Sequence, residues 1–369
     1  MADLITLLRH GQSMWLDYID RNLLDNGGLK RLVETGIRGV TSNPTIFHKA
    51  ITGSQDYDET IIDLLQADHE LDTVGLYKWL TIEDIQMAAD ILRSIYDSSK
   101  GVDGYVSLEV SPHLAHDTNS TLESARHLWK EVNRPNLMIK VPGTLEGLPA
   151  IEVLIAEGIN INVTLLFSVS RYEAVIQSYL RGLALNPNPG KVASVASFFV
   201  SRVDVKVDRA LEQIGTPEAL QLRGKIAVAN ARIAYQCFRE MFQAATFTKL
   251  REKGARVQRP LWASTSTKNP KYSDLLYVES LIGPDTVNTV PRETLDVFLH
   301  HGEVALTLET ELDAAKRDLE TLKRLGINME KITKELEDEG VASFADSYDQ
   351  LLATLDEKRI ATTAHYARL

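Results

Sequence analysis

Along the chain, short strand-like runs alternate with longer stretches in which apolar residues recur at helical spacing. The strand-like runs are MWLDYI (14–19), IRGVTSN (37–43), GYVSLEV (104–110), NLMIKV (136–141), INVTLLF (161–167), VASVASFFV (192–200), RPLWASTS (259–266) and TVNTV (286–290). Helical spacing marks 121–132, which opens on a capping threonine, then 146–158, 170–184 and a long stretch over 225–250. Eight strands with helices between them predict an α/β protein of the (β/α)8 TIM-barrel class. A doubly wound sheet is the alternative, yet no G-x-G-x-x-G or phosphate-cradling G-x-x-x-x-G-K-[ST] follows any strand.

A bare barrel takes about 250 residues, so the 369-residue chain carries surplus. The pattern assigns it to extra helices within about 51–100, between the second and third strands, and to a helical tail over about 303–369 rich in Glu, Lys and Leu. No internal repeat, low-complexity tract or Pro/Gly/Ser linker divides the chain, so it reads as one barrel domain over 1–369.

Composition narrows the function. A formal charge of −11 argues against nucleic acid or an anionic membrane as partner, and an anionic substrate then needs a local cluster of cations. No apolar run approaches the roughly 20 residues that span a bilayer, and the start MADLITLLRHG is too short and too soon charged for a signal peptide. The lone Cys237, inside a helical stretch, allows no internal disulfide and fits a reducing cytoplasm as a structural thiol. Whether the chain is a monomer or a homodimer is not encoded in any of these patterns.

One short match competes with the barrel reading. RHGQS, Arg9–Ser13, resembles the opening of the histidine phosphatases, where the histidine takes up a phosphoryl group. Leu4, Leu7 and Leu8 fall on one helical face, and Gly11 stands where helices end in the left-handed conformation. His10 therefore reads as a helix end.

Side chains alternate across a strand, so parity says which residues share a face. Asp17 shares a face with Trp15, Thr41 with Asn43, Glu109 with Tyr105 and Ser107, Lys140 with Met138, Asn162 with Thr164, and Ser197 with Phe199. Stability alone fills a barrel interior with branched apolar residues, and barrel active sites lie at the carboxyl ends of the strands. Six strands with polar groups there predict a catalytic cavity. The only metal-like cluster, His113, His116 and Asp117, reads as a solvated loop, and no metal or cofactor is expected. Burial in a largely apolar, partly dry cavity disfavours the charged form of an amine, and a neutral amine can attack a carbonyl to give a Schiff base, which makes Lys140 the candidate nucleophile. Two carboxylates in different settings, Asp17 and Glu109, could divide the proton transfers. A structural ion pair between Lys140 and an inward carboxylate is the alternative.

Two stretches, GVTSNPTIF (39–47) and LMIKVPGTLEG (137–147), resemble signatures of the transaldolase family. GQSMWLD, YVSLEVSP, INVTLLFS, ASFFVSR and WASTSTKNP resemble further blocks of that family in the same order, closest to its longer bacterial branch. The resemblance implies transfer of a dihydroxyacetone unit in the pentose phosphate pathway. The donor would be sedoheptulose 7-phosphate or fructose 6-phosphate, the acceptor glyceraldehyde 3-phosphate or erythrose 4-phosphate.

By the same resemblance, Lys140 would form the Schiff base and Asp17 would act as base at the donor's C4 hydroxyl. Glu109, through a water held by Thr164, would shuttle protons to the carbinolamine. Thr41, Asn43, Asn162 and Ser197 would line the site of the three-carbon unit, Phe199 would wall it, and Arg202, Ser266 and Lys268 would hold phosphate. Shorter family members carry arginine where Lys268 stands; arginine grips phosphate through two bonds and lysine acts as a point charge. Two other readings compete: an aldolase releasing free dihydroxyacetone, against which Asp17 argues, and a non-catalytic sugar-phosphate-binding barrel.

Overall fold

The computed structural model describes residues 3–366. Its strands are β1 (Gln12–Leu16), β2 (Gly39–Thr41), β3 (Tyr105–Glu109), β4 (Leu137–Pro142), β5 (Ile161–Leu166), β6 (Ser194–Phe199), β7 (Arg259–Ala263) and β8 (Thr286–Val290). They close in chain order into a parallel barrel, β8 pairing back onto β1. The predicted (β/α)8 class is the observed one.

Local chemistry explains the first turn into the barrel. Asp3 caps the helix Leu4–Arg9 by accepting from the Ile5 and Thr6 amides, and Leu4 and Leu7 are buried. His10 ends that helix, its Nδ1 donating to the Thr6 carbonyl. Gly11 then takes φ +83°, where a Cβ would stand 2.8 Å from the Pro284 Cα. The RHGQS run is thus a helix terminus turning into β1, as its leucine spacing predicts.

The surplus segments separate into two roles. Within 51–100, the helix Thr73–Ser98 is the β2-to-β3 crossover that a parallel barrel requires, packed on β3. The helix Asp58–Ala67 is an addition beside it. The stretch 225–250, expected as one helix, is two, Ile226–Gln243 and Ala245–Glu252. Ala244 between them is extended despite alanine's helix propensity, and the Phe247 ring meets Phe242 edge-on at 4.8 Å. The tail forms Leu312–Arg324 and the C-terminal helix Met329–Tyr366. The latter crosses the carboxyl-end mouth, touching the segments that follow β2, β3 and β6.

The opposite end of the barrel is closed by a polar plug. Asp103 accepts from Ser13 Oγ at 2.5 Å and Trp15 Nε1 at 3.0 Å, and Arg259 lies 3.2 Å from the same carboxylate. Arg259 also donates to Ser13 Oγ and the Thr286 carbonyl. No described helix is long and apolar enough to cross a membrane.

Candidate active site

Strand register brings the central groups together. Glu109 ends β3 opposite Lys140 on β4, and Lys140 stands opposite Asn162 on β5. Lys140 is 4% and Glu109 6% exposed, with Lys140 Nζ 3.3 Å from Glu109 Oε2. The contact is an ion pair not aligned as a hydrogen bond, so both Glu109 oxygens lack a hydrogen-bond donor among the described residues. The Lys140 ammonium donates to the Ser42 carbonyl at 3.2 Å. The ion pair anticipated as a structural alternative is therefore present. Pairing alone does not assign its purpose, since breaking a buried pair is costly whatever it is for.

Asp17 follows β1, its amide donating to the Val290 carbonyl on β8. Thr41 Oγ1 donates to Asp17 Oδ1 at 2.6 Å and lies 2.7 Å from Thr289 Oγ1. A hydroxyl has one proton, so Thr289 must be the donor to Thr41. By area Asp17 keeps some contact with solvent, but its carboxylate lies inside the mouth and burial dominates its titration. Burial raises the carboxyls of both Asp17 and Glu109 above the ordinary range, against the lowering pull of Lys140 on each. The negative charge of Asp17 raises Glu109 further.

The other expected residues arrange around this centre. Asn162 donates to Ser107 Oγ at 3.0 Å and accepts from Ser197 Oγ at 2.7 Å. Thr164 Oγ1 is buried without a hydrogen-bond partner among the described residues. Just past it, β5 loses register and Leu165 takes φ +59°, a conformation that costs a branched side chain roughly 1–2 kcal/mol. Asn43 caps the helix Pro44–Thr52, its Oδ1 accepting from the Ile46 amide. Phe199 packs on Phe167 at 5.1 Å between ring centroids.

Arg202 lies in the first turn of the helix Ser201–Ile214, stacked 5.3 Å from the Phe199 centroid. Lys268 Nζ donates to Ser266 Oγ at 2.6 Å. The Ser201 amide donates to the Ser264 carbonyl, tying this loop to the arginine's helix. Burial, then the charges of Arg202 and Lys49, push the Lys268 amine below its ordinary value. Arg202 and Lys268 line one groove of about 380 Å³ together with Lys206 and Glu339.

Three contributors lay outside the sequence reading. Thr289 was legible by parity within TVNTV. Lys49, on the helix after the Asn43 cap, and Phe344, from the C-terminal helix with its ring centroid 5.8 Å from Lys140 Nζ, had no local signal. Conversely, the His113-x-x-His116-Asp117 cluster disperses: His113 pairs with Asp349, His116 with Glu146, and Asp117 caps the helix Thr118–Val132. Burial pushes the Cys237 thiol up to about 11, in keeping with a structural role.

A closed parallel barrel with a buried amine between two carboxylates at its mouth, and cations on the rim, defines the class of aldolase-type (β/α)8 enzymes. The chain belongs to the transaldolase/fructose-6-phosphate aldolase family, whose sequence model matches residues 14–355. It is 47% identical over 356 residues to a transaldolase of Mycolicibacterium smegmatis, covering 95% of each chain. A transaldolase of Parafrankia is 49% identical over 354 residues, covering 94% of this chain and 95% of the relative. Transaldolase 2 of Nostoc is 46% identical over 371 residues, covering 96% and 97%.

Proposed function

We propose that this enzyme is a transaldolase that carries a dihydroxyacetone unit from a ketose phosphate to an aldose phosphate as a Schiff base on Lys140. The observation that carries the reading is the 3.3 Å approach of the Lys140 amine to Glu109 inside the barrel, with Asp17 charge-coupled to both. Lys140 attacks the C2 carbonyl of fructose 6-phosphate or sedoheptulose 7-phosphate. Glu109, its carboxyl raised by burial above the ordinary carboxylate range, passes a proton to the departing carbinolamine oxygen. A water between Glu109 and Thr164 suits this role, because the oxygens of both side chains are buried without a hydrogen bond.

The iminium draws electrons from the C3–C4 bond as Asp17 takes the C4 hydroxyl proton. The aldose phosphate leaves, and the three-carbon unit remains as an enamine. Erythrose 4-phosphate or glyceraldehyde 3-phosphate then reverses the step, with Asp17 returning the proton. Asn43, Asn162 and Ser197 hold the unit's hydroxyls, Thr41 orients Asp17 and Phe199 walls the cavity. Arg202, Ser266 and Lys268 take the phosphate, and an arriving dianion relieves the repulsion among Arg202, Lys268 and Lys49. Sugar phosphates are the partners in this reading, and the single thiol and carbohydrate chemistry fit a cytoplasmic setting.

The test is product analysis with fructose 6-phosphate, with and without erythrose 4-phosphate. Sedoheptulose 7-phosphate formed with acceptor, and little free dihydroxyacetone without it, supports the transferase. Rapid release of free dihydroxyacetone without acceptor makes the protein an aldolase. No turnover of either kind leaves a binding barrel.

A further inference from the structure

Phe344 reaches the site from outside the eight strands. Its ring centroid stands 5.8 Å from Lys140 Nζ and 6.0 Å from the Arg202 guanidinium carbon, and the residue is 4% exposed. Phe199 faces the same guanidinium at 5.3 Å, so both the amine and the arginine lie against phenyl rings.

Separate features hold Phe344 there. One turn earlier is Gly340, where a Cβ would stand 2.8 Å from Leu165 Cδ2, so the helix settles onto the irregular end of β5. Glu335 and Glu339 both reach Lys206, at 2.8 and 2.5 Å. One turn later Tyr348 meets Tyr77 edge-on at 5.2 Å. The ring is thus fixed from below, from the side and from the next turn.

We infer that Phe344 controls how the bound three-carbon unit is shared between the acceptor sugar and solvent. The inference rests on the Lys140 Schiff-base reading above. After cleavage the unit is an enamine, and its nitrogen lone pair makes a carbon two bonds away nucleophilic. If that carbon attacks the acceptor aldehyde, a carbon–carbon bond forms, the aldehyde oxygen takes a proton and the nitrogen becomes an iminium. If the carbon takes a solvent-derived proton instead, the nitrogen also becomes an iminium, but the unit can no longer be transferred. Either iminium is then released by water adding at C2, loss of that water's second proton and breakage of the carbon–nitrogen bond. The branch is decided by whether a proton or an aldehyde reaches the carbon first. Phe344 has no hydrogen-bonding group and covers the amine's surroundings toward the C-terminal helix, so it withholds the proton.

The test is the ratio of free dihydroxyacetone to sedoheptulose 7-phosphate made from fructose 6-phosphate at fixed erythrose 4-phosphate. Phe344→Ala should raise that ratio about tenfold or more, while borohydride still traps an adduct on Lys140. Phe344→Leu, which keeps apolar bulk, should stay nearer the parent value. If Phe344→Ala does not fold, the double change Glu335→Gln with Glu339→Gln, which frees the helix from Lys206, should raise the ratio in the same sense. An unchanged ratio in the folded alanine variant, or in the double variant when alanine does not fold, overturns the inference and leaves the Schiff-base reading standing. Failure to trap any Lys140 adduct in the unaltered enzyme removes both.

Discussion

Asp17 and Glu109 are both driven toward their neutral forms by burial, and both are pulled back by the one lysine between them. Removing one charge therefore alters the titration of the others. A base raised in this way stays protonated to higher pH than a free carboxylate, so kcat/KM should fall on acidification above the ordinary carboxylate range. Asp17→Asn should cut kcat about 10²–10⁴-fold, the usual worth of a positioned base, while the Lys140 adduct still forms with fructose 6-phosphate. Loss of the adduct together with turnover would instead make Asp17 a residue of Schiff-base assembly. At the rim, Lys268→Ala should raise KM for the phosphorylated donor and leave kcat nearly unchanged. Lys268→Arg should lower KM, because the fork of donors suits phosphate better than a point charge. A parallel loss of kcat would place Lys268 in the chemistry.

Parity carried much of this at the residue scale. Lys140, Glu109, Asn162 and Ser197 lie where alternation puts them, because a strand leaves a side chain only two directions. The same rule put Trp15 on the face of Asp17, yet Trp15 and Ser13 serve the Asp103–Arg259 plug at the far end. Alternation gives the face of a residue; its height in the barrel depends on register, which only pairing fixes.

Among the elements, the helix Ser201–Ile214 links the rim to the core. Arg202 starts it, and two turns of buried acid follow. Asp204 accepts from the Ala227 amide at 2.7 Å, heading the helix Ile226–Gln243, and from Tyr277 at 2.9 Å. Burial pushes Asp204 up to about 7. A carboxyl raised by folding stabilises most where it is protonated in both states, and that contribution is lost as pH rises from the unfolded carboxylate range through about 7. The loss is on the order of 4 kcal/mol for a shift of this size. Asp204→Asn keeps an acceptor for Ala227, so its melting temperature should decline less between pH 5 and pH 8 than that of the unaltered protein. An equal decline in both would assign the pH dependence elsewhere. Element boundaries were legible where local chemistry decides them, as in β8, which spans the residues of TVNTV. They were not where packing overrides propensity: Ala244 breaks a helix with neither glycine nor proline, and Leu165 bends β5 against its own preference.

For the molecule as a whole, a chain of net charge −11 gathers Arg202, Lys268 and Lys49 on one side of the mouth. In the proposed reading these cations draw in a phosphate against the global field, and salt screens such attraction over about 8–10 Å. KM for the donor should rise with ionic strength while kcat stays level; a KM indifferent to salt would show that capture does not depend on this cluster. The barrel and its mouth were legible because eight strands repeat one pattern. The contribution of the C-terminal helix was not, because Phe344 meets Lys140 through a contact that spans the chain and leaves no periodic trace. The proposed chemistry turns on one bond, between Lys140 and the substrate carbonyl carbon. Borohydride reduction with fructose 6-phosphate, followed by peptide mapping, should show a mass gain on the peptide bearing Lys140 and none in Lys140→Arg. An intact, folded enzyme that turns over its substrate and gains no mass there, or gains it on another lysine, would contradict the account.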